Sequence, residues 1–381
     1  MKPRRVFAFL LDGNLLVPVS VLLLVAARVA PGSRLVESML DKSYIACEFQ
    51  VGETLGYYES ILNAAEPGNS GRSGESHDAE PPLVFVPFGA ANIVEASPTY
   101  LRWRIRPNLD IRWNGTTFRS SSLGYRTPEI DLGKPEDVYR ILVFGSSNTM
   151  GHGVDNDDAY PRLLEDWLNE QFNPDVRIEV VNLAVSGDSP SRRLQRIQEE
   201  AGRYQADWIL CDASPLDYAL EENHLETIVH SDPPIEIPFE YVREALIRAD
   251  VSAKDSPEQF QLKLRGEAEG LLEGSFAGWK QEADRLGIPL SIVILPRADR
   301  KSQSRRIVEL IQSLASRNGI DVIDISGAFD DLEPSQFRVS EQDKHPSALG
   351  HRALFEELQS ALVDRGGLPG LSLPEPLSTV E

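Results

Sequence analysis

The feature that most restricts this chain is a set of five short apolar runs, each closed off by turn-forming residues. They stand at 139–145, 178–183, 207–212, 289–295 and 320–325. Runs of that length without polar alternation suit strands buried on both faces, since a solvated face would call for a polar residue at every second position. The segments between them carry apolar residues at three- and four-residue intervals. One begins near Asp158-Ala-Tyr-Pro and sets Leu163, Leu164, Trp167 and Leu168 on a face; another starts at Ser189-Pro190 and carries Leu194, Ile197, Ala201 and Tyr204. Further helices fit 275–286, 303–318 and 347–363. Buried strands alternating with amphipathic helices imply a parallel sheet covered on both faces. The expected architecture is α/β, a three-layer sandwich around a five-stranded parallel sheet, spanning residues 136–366.

The rest of the chain surrounds that domain. Lys2, Arg4 and Arg5 precede an apolar stretch from Val6 to Ala30, so residues 1–32 read as a retained single-pass membrane anchor or as a cleaved signal. The basic residues ahead of the stretch place the bulk of the chain on the extracytoplasmic side of a cell membrane; the alternative is a secreted or periplasmic protein after cleavage. Residues 33–82 form a juxtamembrane region whose 66–82 portion, rich in Gly, Ser and Pro, reads as a flexible linker. A strand-rich preface follows at 83–135, with a hairpin expected at Asn114-Gly115. Residues 219–265 form an acidic insertion placed to act as a lid over the strand ends, and 367–381 read as a flexible tail.

Charge and residue counts exclude several functions. The formal net charge of −21 argues against nucleic acid, whose phosphates such a surface repels. Two cysteines exclude a cysteine-rich zinc site, and no pair of histidines has helical ligand spacing, so neither a metal nor another cofactor is expected. Cys211, inside an apolar run, reads as a small buried hydrophobe. Trp103 and Trp113 fit packing better than sugar stacking.

Chemistry in an open parallel sheet sits beyond the carboxyl ends of the strands. The first run ends in Gly145-Ser146-Ser147-Asn148-Thr149-Met150-Gly151-His152-Gly153, the second in Asn182-Leu183-Ala184-Val185-Ser186-Gly187-Asp188, and the third in Ala213-Ser214-Pro215-Leu216-Asp217. After the fifth comes Asp343-Lys344-His345-Pro346-Ser347. This set, in this order, resembles the SGNH or GDSL-type hydrolases over roughly residues 120–365, in the manner of membrane-anchored bacterial members. The resemblance implies a flavodoxin-like sandwich in which Ser147 is the nucleophile, His345 its general base and Asp343 the acid that orients the base. It assigns the oxyanion hole to the backbone N–H groups of Ser147 and Gly187. Ser146, Asn148, His152, Ser214 and Asp217 are pocket candidates. His351 reads as a packing or capping residue, and His224 and His230 as solvated.

The chain departs from the family at three points. Ser146 stands where the family has Asp before its serine, and Leu216 stands where an Asn side chain donates to the oxyanion. Asp343 precedes His345 by two residues, whereas Gln342 occupies the more usual place for the acid. The implied activity is cleavage of a carboxylic ester, acyl or acetyl, on a small molecule or on an envelope or exported polysaccharide. The alternatives are an SGNH-fold domain with impaired catalysis that binds carbohydrate or a protein partner, and an acyltransferase.

Overall fold

The apolar runs become the strands of one sheet. The computed structural model describes residues 86–374 apart from 173–174, 299–304 and 342. The expected segments 1–32 and 33–82 lie outside these, as does Gln342. Among the described residues, no helix is long and apolar enough to cross a membrane.

Two short antiparallel pairs come first: β1 (Val94–Ala96) with β2 (Trp103–Ile105), and β3 (Asp110–Trp113) with β4 (Thr116–Arg119). The β3–β4 loop is the expected Asn114-Gly115 pair, with φ of 46° and 87°. Positive φ at both positions matches the right-handed twist of a hairpin and explains this residue pair. The sheet proper holds β5 (Val138–Phe144), β6 (Arg177–Asn182), β7 (Trp208–Ala213), β8 (Leu290–Ile294) and β9 (Asp321–Asp324). All its pairings are parallel, in the order β6-β5-β7-β8-β9. That is the doubly wound, flavodoxin-like order, whose direction reverses beside β5 and leaves a crevice at its carboxyl end.

The helices are α1 (Ser147–Met150), α2 (Tyr160–Phe172), α3 (Pro190–Glu200), α4 (Asp217–Val229), α5 (Glu240–Ala249), α6 (Pro257–Leu264), α7 (Ala268–Leu286), α8 (Arg305–Arg317), α9 (Pro334–Phe337) and α10 (Ala348–Asp364). On one face of the sheet, Ile141, Val143, Ile178 and Val180 pack against Leu164 and Leu168 of α2 and Leu354 and Leu358 of α10. Alternation turns Leu142 and Phe144 to the other face, where α3 and α7 meet through Trp279, whose indole N–H donates to the Pro190 carbonyl at 3.1 Å.

Three expectations change. The helix expected from 275 begins at Ala268, because Gly274 and Gly278 serve contact rather than termination: a Cβ there would meet the Tyr241 ring and Leu194. The insertion at 219–265 is helical, as α4 to α6: α4 packs on α3 and α7, α5 on α7, and α6 on α4 and α5. Residues 367–372 are not a loose tail: Gly367–Leu368 (β10) pairs with Leu371–Ser372 (β11), Leu368 is buried, and the Tyr139 hydroxyl donates to the Pro369 carbonyl at 2.7 Å.

Candidate active site

The turn after β5 is fixed from three directions. The Ser146 amide donates to Asp212 Oδ2 at 3.0 Å, and the Thr149 hydroxyl donates to the same oxygen. A side chain at Gly145 would fall within 2.6 Å of the Thr149 Cβ and closer still to the Asp212 carboxylate, so only glycine fits. Asn182, at the end of β6, donates to the Thr149 carbonyl at 2.8 Å. From the preface, Arg126 donates to the carbonyls of Gly151 and Val154. Ser147 opens α1 at 4% exposure, and its carbonyl accepts the amides of Gly151 (3.1 Å) and His152 (3.0 Å).

The opposite wall is a tight loop between α9 and α10. Val339 donates to the His345 carbonyl and Ser340 to that of Asp343, both at 3.0 Å, and the Ser340 hydroxyl accepts the Asp343 amide at 2.8 Å. This reversal folds the Asp343 carboxylate back under His345. Asp343 Oδ1 lies 2.7 Å from the ring Nδ1 of His345 and accepts its amide at 3.1 Å. The short Asp-x-His spacing is thus compatible with an acid–base pair, because the loop rather than the intervening residue count sets the approach. Burial alone would raise the Asp343 carboxyl, but His345 and His152 outweigh it and hold it well below the usual carboxylate range.

His152 joins the two walls. Its amide is bonded to Ser147, as above, and its ring stacks on that of His345 with centroids 3.8 Å apart and planes 12° from parallel. Its Nε2 lies 3.5 Å from Asp343 Oδ2, the second oxygen of the same carboxylate. Burial, then the proximity of His345, pushes its pKa down to about 4, so the ring is neutral at pH 7. Trp113 of β3 meets this ring edge-on at 4.4 Å and is itself buried, which fits the expected packing role.

The three groups His152, Asp343 and His345 lie close enough together to suggest a metal centre. Imidazole lone pairs lie in the ring planes, however, and two nearly parallel rings 3.8 Å apart aim theirs along separate planes. A tetrahedral ion would need them to converge, so the stack does not suit one.

The remaining candidates divide. Ser146 and Asn148 are buried in the turn beside Ser147, and Gly187 follows β6 with φ of 75° and its carbonyl bound by Arg192 at 3.0 Å. Ser214 and Asp217 have other engagements. The Ser214 hydroxyl accepts the Leu216 amide at 3.2 Å and donates to Asp217 at 3.4 Å, while Asp217 receives Arg193 through both of its oxygens at 2.7 and 3.1 Å. Leu216 is buried. Arg193 also contacts Asp212 Oδ1 at 3.0 Å, so one guanidinium ties together the carboxylates of Asp212 and Asp217 beside the Ser147 turn. Sequence reading missed Asp212 and Arg193; the available signal was an Asp inside an otherwise apolar strand, which burial obliges to find a partner. His224 is a correction: it is buried and edge-on to Tyr100 at 4.6 Å, because α4 packs inward. His351 packs as expected, and its Nδ1 accepts the Tyr160 amide at 3.3 Å. Cys211 is fully buried.

A cavity of about 310 Å³, lined by Arg126, Thr127, Glu129, Asn156 and Asn182 among others, lies behind the turn. None of Ser147, Asp343 and His345 borders it.

No family model and no curated protein matches the sequence. Among solved structures, the chain is similar to TesA (16% identity, TM-score 0.37, covering 58% of this chain and 97% of TesA). It is similar to Axe2, an acetylxylan esterase from Geobacillus stearothermophilus (16%, 0.38, 58% and 93%). The acetyl xylan esterase AlAXEase is a further such structure (14%, 0.38, 58% and 99%). Superposition at that level is loose, and the chemistry has to come from the site itself.

Proposed function

We propose that this chain is an SGNH-type serine hydrolase that cleaves a carboxylic ester. The observation that carries this reading is the convergence of the Ser147 turn with a buried His345–Asp343 pair, bonded at 2.7 Å, through the single residue His152. Ser147 Oγ attacks the ester carbonyl carbon as His345 Nε2 takes its proton; a neutral hydroxyl is too weak a nucleophile without that transfer. Asp343 holds the Nδ1–H tautomer and stabilises the imidazolium. The amides of Ser147 and Gly187 stabilise the oxyanion. His345 then gives its proton to the leaving alcohol, and water attacks the acyl-enzyme with His345 again accepting a proton, releasing the acid and restoring Ser147.

An acyl or acetyl ester on an envelope or exported polysaccharide is the substrate class we infer, with residues 1–32 tethering the domain outside the cell membrane. Protease accessibility of the domain on intact cells tests that placement. The second reading, a binding domain of impaired catalysis, is favoured by one observation: the segment after β7 presents buried Leu216 where the family has its donor. A fluorophosphonate probe and a short-chain aryl ester, applied to the full-length protein, separate the two. Labelling at Ser147, with hydrolysis lowered by at least about 10³-fold in Ser147→Ala and His345→Ala, is expected. Background rates for all three proteins, with no labelling, would establish the binding domain instead.

A further inference from the structure

We propose that His152 is a positioning residue that fixes the plane of the His345 ring, a role resting on the esterase reading above. One hydrogen bond to Asp343 defines the direction of the His345 Nδ1–H but leaves the ring free to tilt about that line. A general base needs both, because Nε2 must meet the serine proton along its lone pair. The second constraint comes from the parallel stack of His152 at 3.8 Å. His152 Nε2, 3.5 Å from Asp343 Oδ2, constrains the second oxygen of the carboxylate whose first oxygen meets His345.

Three features suit His152 to this work. It is fully buried, with the Trp113 and His152 ring centroids 4.4 Å apart in an edge-on contact, so the stack has a wall behind it. Its amide is tied to the Ser147 carbonyl at 3.0 Å, so the turn that presents the nucleophile also sets the plane of the base. Its ring is neutral at working pH and accepts the imidazolium formed on His345 without like-charge repulsion.

Four full-length proteins test this: wild type, His152→Ala, His152→Phe and His152→Gln. Phe keeps a ring to stack on His345 and loses the contact with Asp343; Gln keeps a polar donor and loses the stack. The two readouts are the fluorophosphonate labelling kinetics of Ser147, separated into probe affinity and maximal rate, and the low-field proton resonance of the His345–Asp343 hydrogen bond. Losing alignment should lower the maximal labelling rate of Ala by about 100-fold with probe affinity nearly unchanged. Phe should recover most of that rate, and Gln less. The low-field proton should be sharp in wild type and Phe and broadened in Ala. A folded Ala variant with wild-type rate and resonance would overturn the proposal, as would Phe behaving like Ala. Should Ala fail to fold, Phe against Gln decides in the same way. Absence of labelling in wild type would sink the esterase reading alone, since the resonance still judges whether His152 orders the pair.

Discussion

The ends of β5 and β7 lie side by side in one sheet and point the same way, yet they are fastened by opposite means. After β5 the anchors grip mostly backbone, with the Thr149 side chain also taking part: Asp212 holds the Ser146 amide, Asn182 the Thr149 carbonyl and Arg126 the carbonyls that follow. After β7 the fasteners are the side chains themselves, with Ser214 on the Leu216 amide and Asp217 clamped by Arg193. A turn held by its backbone is able to present a side chain, whereas a turn whose side chains do the holding has none left over. The polar residues after β7 look like pocket chemistry in sequence and act as structure.

The sharpest way to break this contrast is to cut the two arms of Arg193 separately. Removing one partner of a buried ion pair leaves a charge poorly compensated, at a cost of about 3–5 kcal/mol; the second carboxylate should hold the loss near the lower end. Asp217→Ala should therefore lower stability by about that amount in urea unfolding, and Asp212→Ala by more, since it also strands the buried Ser146 amide and Thr149 hydroxyl. They should differ in function: Asp212→Ala also frees the Ser146 amide and should abolish labelling of Ser147, while folded Asp217→Ala should still label. Wild-type labelling in both would show that Asp212 does not hold the Ser147 turn in place.

A second substitution works in the other direction. Under the proposed SGNH reading, Leu216→Asn places a carboxamide where an oxyanion donor is expected, and such donors supply about 3–4 kcal/mol of transition-state stabilisation. Realising even part of that should raise kcat for an aryl ester by about tenfold with little change in KM. An unchanged kcat in a folded variant would mean that the β7 end does not face the reacting carbonyl.

These tests bear on how far the sequence could be read. The strands, the hairpin at Asn114-Gly115 and the helix opening at Ser189-Pro190 were legible because each rests on local periodicity or turn chemistry. The pairing of Asp343 with His345 was legible only through the family resemblance, and the loop that makes their short spacing workable depends on contacts between Ser340 and Asp343 that no pattern announces. The helices of the insertion were hidden by its prolines and acidic residues, and the length of α7 by glycines that serve packing. Most obscure were the three buried arginines of α3, at positions 192, 193 and 196, since basic residues on a helix ordinarily belong to its solvated face. Their partners come from β7, α4 and the loop ahead of α3, so only the assembled fold explains them.

The same contrast extends to how the two sides of the site keep charge. Around Arg193 buried charges are paired, and arginine keeps its proton at any ordinary pH. Toward α10, burial instead holds rings neutral: His351, pressed first by desolvation and then by Arg126 and His345, falls to a pKa of about 3. Unfolded, a histidine takes up its proton near pH 6.5. Stability from the neutral ring is therefore complete above pH 6.5 and is lost as pH falls below it, because the unfolded chain binds a proton that the fold refuses. At pH 5 the loss amounts to about 2 kcal/mol, from 1.36 kcal/mol per pH unit over roughly one and a half units. His351→Gln keeps an acceptor for the Tyr160 amide and removes the titrating ring. The stability gap between wild type and this variant should narrow by about that amount between pH 7.5 and pH 5 in paired urea melts. A gap of constant size would mean that His351 gains its proton as readily in the fold as outside it, and the neutral side of the contrast would fail.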